Sequence, residues 1–131
     1  VASFLYAHSD EERMHMLKLI KFVNEKGGKA VIPALEAPPI EFNSITYVFE
    51  ELLNHEVKVT ESINNVVEVC LSEKDYTTHN FMQWYVSEQI EEEALARTIN
   101  DKLDMIGSDK GGLYLFDRDL ESMAGSENGA A

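Results

Sequence analysis

The sequence predicts an all-α protein, a four-helix bundle with one long crossover connection. Three observations carry that prediction. Apolar residues recur at alternating steps of three and four in successive stretches. All three prolines fall in one segment, leaving the rest free for long helices. Finally, the connections differ sharply in length, and that difference constrains the topology.

The first helix is predicted over Ala2 to Asn24, with Leu5, His8, Glu12, His15, Leu19 and Phe22 on one face. Gly27 and Gly28 stop it. Residues 26–43 read as a linker containing Pro33, Pro38 and Pro39, and its Val31, Ile32, Leu35 and Ile40 predict that it packs down. Ser44 is the expected N-cap of a second helix reaching Leu71. Its stripe is Phe49, Leu52, Glu56, Val59, Ile63, Val66 and Cys70. After a short turn, Ser72 to Asp75, a third helix is predicted over Tyr76 to Ile106, with Met82, Tyr85, Gln89, Glu92, Ala96, Ile99 and Leu103 in line. Gly107 ends it. Gly111 and Gly112 precede a short amphipathic segment, Leu113 to Met123. One domain is expected over 1–123 and a disordered tail over 124–131.

A helix of about 25 residues is about 38 Å long. A linker the length of 26–43 can extend to roughly 60 Å, enough to run the length of the bundle and set the first two helices parallel. The turn at 72–75 allows only a hairpin.

Composition narrows the function. With 24 acids against 11 bases, a net charge of −13 argues against nucleic acid, which needs clustered Lys and Arg, and is compatible with cations. No apolar run approaches the roughly 18 residues needed to span a membrane. The N-terminus shows no secretion signal, and a single cysteine, Cys70, permits no intrachain disulfide; both fit a cytoplasmic location.

The informative feature is polar residues on apolar stripes. Glu12 and His15, then Glu56, then Gln89 and Glu92 each sit at the middle of a stripe with apolar residues on both sides. A buried lone carboxylate is costly and would normally protonate. Three stripes with the same fault at the same height predict a shared counter-ion, and a metal supplies one. Glu12-x-x-His15 places a carboxylate and an imidazole one turn apart, the Glu-x-x-His arrangement of di-iron carboxylate bundles. Ser87-Glu88-Gln89-Ile90-Glu91-Glu92-Glu93 adds a run of acids in a stretch, Asp75 to Arg97, with no base between its ends. Carboxylates with one imidazole suit Fe, Mn or Zn.

Three stretches resemble the bacterial non-haem ferritins: His8-Ser9-Asp10-Glu11-Glu12-Arg13-Met14-His15-Met16; Asn54-His55-Glu56; and Asn80 through Glu93. Gly112-Leu113-Tyr114-Leu115-Phe116-Asp117 looks like the start of that family's short fifth helix. The resemblance implies a ferritin-like four-helix bundle with a short C-terminal fifth helix and with the family's first bundle helix missing from this chain. It implies an iron-storage protein that oxidises Fe(II) with O2 or H2O2 and stores ferric mineral in a homo-oligomeric shell of 24 subunits. By resemblance, Glu12 bridges two irons and His15 binds the first; Glu56 and Glu92 hold the second, with Gln89 beside it. Glu11, Glu88 and Glu91, with Glu92, form a third iron site. Trp84 lies near the centre, most simply as a core residue.

Haem is not expected: Arg13 stands where haem-binding bacterioferritins place a Met, and Glu88 and Glu92 are followed three residues on by Glu91 and Leu95, so no second Glu-x-x-His exists there. The alternative outside redox chemistry is an acidic helical scaffold module.

Overall fold

The computed structural model describes residues 1–127. Every regular element among them is an α-helix: α1 (Ala2–Glu25), α2 (Ile45–Ser72), α3 (Tyr76–Ile106) and α4 (Lys110–Glu127). None is long and apolar enough to cross a membrane. The chain forms two compact units, one of α2 and α3 (Pro39–Gly107), the other of Val1–Pro38 with the segment from Ser108 onward.

In the first of these, α2 and α3 form the expected hairpin. Ser44 caps α2, its hydroxyl accepting from the Tyr47 N–H at 3.0 Å. Asp75 caps α3 by accepting from the Thr78 N–H, and its own N–H donates to the Cys70 carbonyl at 2.8 Å, so one residue closes α2 and opens α3. Lys74 takes a left-handed φ of 56° to make the reversal. Phe49, Glu56, Ile63 and Cys70 are buried on α2, a seven-residue spacing that keeps one seam facing its partner. All seven residues of the α3 stripe are buried. Of the other three residues of the expected α2 stripe, Leu52 and Val59 are half-buried and Val66 is 42% exposed. Asn100 ties the helices at one end, its amide donating to the Phe49 carbonyl at 2.9 Å.

Ser44→Ala is expected to cost about 1 kcal/mol, because the first turn of α2 loses the acceptor for one N–H. Urea unfolding measures it; an unchanged midpoint would refute the capping role.

In the other unit α1 and α4 touch. Phe4, Phe116 and Leu120 are its fully or almost fully buried apolar residues, and the Phe4 ring stacks on His8 at 6.0 Å between centroids. Phe4 rather than Leu5 therefore leads the buried face of α1, and Leu19 is 38% exposed. The strict three–four spacing put Leu5 in place of Phe4, because the contact with α4 lies along the start of α1, and it counted Leu19 on a buried face.

Three further features differ from expectation. The α4 helix starts at Lys110, not Leu113, and takes in both glycines. Asp109 explains this: its carboxylate accepts from the Gly112 N–H at 2.6 Å, a cap that offsets the helix cost of glycine. At its other end α4 runs to Glu127, so residues 124–127 of the expected tail are helical, and residues 128–131 lie outside the described residues. The linker is non-helical as expected, but it does not pack down: Val31, Ile32, Leu35 and Ile40 are 61–94% exposed. An irregular, proline-bearing segment presents no single apolar face, so hydrophobic content alone does not bury it.

Candidate metal centre

Each unit carries its own group of metal-ligand side chains. On α1, one helical turn separates His8 from Glu12 and another separates Glu12 from His15. The Glu12 carboxylate consequently lies 3.7 Å from His8 Nε2 through one oxygen and 3.9 Å from His15 Nδ1 through the other. His8 is 8% exposed, whereas the Glu12 side chain is 41% exposed. Glu11 is half-buried beside them.

On α2 and α3 the group is deeper. Glu56 is 2% exposed and Glu92 is 4% exposed, and their carboxylate oxygens lie within 4.8 Å of each other. Glu88, one turn before Glu92 and half-buried, has an oxygen within 4.8 Å of the Glu92 carboxylate. Glu91 points to the exposed side. Gln89 is buried and joins the helices: its Nε2 donates toward the Glu56 carbonyl at 3.1 Å and the Glu56 carboxylate at 3.2 Å. Thr60 Oγ1 stands 3.1 Å from the same nitrogen and 2.8 Å from Glu93 Oε2.

Two carboxylates this close and this far from water repel each other unless something positive lies between them, or one takes a proton. Oxygen donors with nearby imidazoles are the donor set of a first-row divalent cation. The α2–α3 group offers carboxylates and an amide; the α1 group offers a carboxylate and imidazoles.

The family model for the ferritin-like domain matches residues 1–106, a span that includes every one of these donors. The chain belongs to the ferritin-like domain family. The chain is 47% identical over 123 residues to a probable bacterial non-heme ferritin-like protein of Haemophilus influenzae, a match covering 94% of this chain and 74% of that one. It is also 47% identical over 122 residues to the bacterial non-heme ferritin of Campylobacter jejuni, covering 93% and 73%. An open-pore ferritin from the archaeon Archaeoglobus fulgidus is similar in structure, with a TM-score of 0.87 at 45% identity over 89% of this chain and 72% of that one. The helical fold expected from the stripes is the ferritin four-helix-bundle fold.

Within that ferritin fold the structure places Glu56, Gln89 and Glu92 together, with Glu88 adjoining, and Glu12 with His15. Glu91 is exposed, whereas Glu11 is half-buried on α1. Trp84 is not a core residue: it is 37% exposed and lies edge-on to the buried Tyr85 at 4.9 Å. Sequence reasoning overlooked Thr60 and Glu93. Their signal was available: Thr60 is one turn after Glu56, and Glu93 is one turn before the first base that follows the acidic run, Arg97.

Proposed function

We propose that this chain is an iron-storage subunit that binds and oxidises Fe(II) at an intrasubunit di-iron centre, with Fe(II) as its substrate. The reading rests above all on the burial of Glu56 and Glu92 with their oxygens within 4.8 Å of each other. The names of its relatives, bacterial non-heme ferritins, support the same activity.

In this reading Glu12 is the ligand shared by two irons, His15 serves the first, and Glu56, Glu92 and Gln89 serve the second. Glu11, Glu88 and Glu91, with Glu92, form a third iron site. Two Fe(II) held side by side deliver one electron each to a single O2, which with two protons leaves as H2O2. When H2O2 is the oxidant, the same two electrons and two protons yield two waters. Carboxylates suit this task because they can bridge, chelate or release as iron changes charge and size. The oxidised iron moves on to a ferric mineral inside a homo-oligomeric shell of 24 subunits.

The test is anaerobic loading with Fe(II) followed by rapid mixing with air. A transient blue-to-amber absorbance, faster than Fe(II) oxidation in buffer alone, is the expected result. An acidic scaffold module would produce none, and its absence would overturn the proposal.

A further inference from the structure

Resting on the metal-binding reading above, we infer that Thr60 and Glu93 are positioning residues that fix which end of the Gln89 amide is offered to the cation.

The argument begins with the amide. Gln89 Nε2 has three oxygens around it: the Glu56 carbonyl at 3.1 Å, the Glu56 carboxylate at 3.2 Å and Thr60 Oγ1 at 3.1 Å. Two of these are pure acceptors. Reversing the amide would set its carbonyl oxygen against both, which favours the nitrogen on this side. The carbonyl oxygen is then the end left for a cation, and an oxygen is what a hard divalent ion requires.

Thr60 is the third oxygen, and it alone of the three can either reinforce this orientation or oppose it, because a hydroxyl can donate as well as accept. It has two places to send its proton. One is the Glu56 carbonyl a turn back, at 3.1 Å; the other is Glu93 Oε2, at 2.8 Å. The carboxylate bond is shorter and charge-assisted, so it prevails. The proton is drawn to Glu93, and Thr60 Oγ1 turns a lone pair to Gln89. Glu93 is held for this by Arg97, whose guanidinium donates to its other oxygen at 2.6 Å.

Three consecutive acids thus divide their work. Glu92 is buried among ligand candidates and Glu91 faces outward, while Glu93 spends both oxygens on Thr60 and Arg97. The chain Arg97–Glu93–Thr60–Gln89–Glu56 runs from an exposed guanidinium to a buried carboxylate. If the Glu93 carboxylate is removed, the Thr60 proton falls back on the Glu56 carbonyl and competes with Gln89 for it.

The experiment is anaerobic titration of the full chain with Co(II) alone, following its visible d–d band, for the parent, Thr60→Val, Thr60→Ser and Glu93→Ala. Thr60→Val and Glu93→Ala are expected to weaken Co(II) binding by about tenfold or more and to alter the band, as loss of a group that orients a ligand does. Thr60→Ser keeps the hydroxyl and is expected to restore both parental affinity and parental band, which a purely space-filling role for the methyl would not do. Thermal melts by circular dichroism confirm that each variant is folded. Parental binding in either Thr60→Val or Glu93→Ala, or a Thr60→Ser as weak as Thr60→Val, overturns the positioning role while leaving the metal reading intact. A parent that binds no Co(II) overturns both.

Discussion

Glu12→Ala is expected to abolish the fast phase of Fe(II) oxidation. In the proposed centre Glu12 is the one ligand that both irons share, and its two oxygens already diverge toward different neighbours, His8 and His15. Without it each iron keeps some ligands, but the pair loses its link, and O2 must be reduced by single-electron steps. Glu91→Ala and Glu88→Ala are expected to behave differently. Glu91 is exposed and Glu88 lies beside Glu92, so both fall at the edge of the buried pair. The initial burst should survive in both, with a change in the ratio of iron oxidised to O2 consumed. Stopped-flow absorbance with an oxygen electrode reads both quantities. A fast phase that persists in Glu12→Ala, or disappears as completely in Glu91→Ala, would show that these roles are wrongly assigned.

The second large effect is a reversal of stability order. Glu56→Leu is expected to melt at the same temperature as the parent or higher when metal is absent, and clearly lower when a divalent ion is saturating. The physical reason is the location of the charge. Glu56 is 2% exposed and faces the equally buried Glu92, so the metal-free fold bears both desolvation and repulsion. Leucine removes both and fits the apolar seam of Phe49, Ile63 and Cys70. Gln89 keeps acceptors in the Glu56 carbonyl, which every residue type retains, and in Thr60. With metal present, a ligand at a hundred times its dissociation constant stabilises the parent by about 2.7 kcal/mol, which the variant should forgo. Thermal melts in chelator and in Zn(II) make the comparison. A metal-free Glu56→Leu destabilised by several kcal/mol, or one stabilised by Zn(II) as much as the parent, would contradict it. The same trade is weaker at Glu12, whose side chain is 41% exposed and therefore partly screened by water.

Much of this was legible from residue order. The α3 stripe from Met82 to Leu103 was complete as read, because a long helix with one partner seam repeats its burial with the helical period. The cap at Ser44 and the stop at Gly107 are local chemistry, decided within four residues of chain. The spacing Glu12-x-x-His15 likewise guarantees that the two side chains meet along α1.

Tertiary structure decided what depends on a second element. That Phe4 is buried and Leu5 less so follows from where α4 touches α1, and no period in α1 contains that information. That Glu56 lies deep and Glu12 shallow could not be read from their stripes, which look alike; depth is set by the packing around each helix. The pairing of Thr60 with Glu93 joins residues 33 positions apart, and only the α2–α3 register brings them within hydrogen-bonding distance. Sequence alone determined the helices, their caps and the donor types, because those are set by neighbours along the chain. Which donors are desolvated, and which acid orients rather than binds, was decided by the approach of one helix to another, because burial and long-range hydrogen bonds exist only once two surfaces meet.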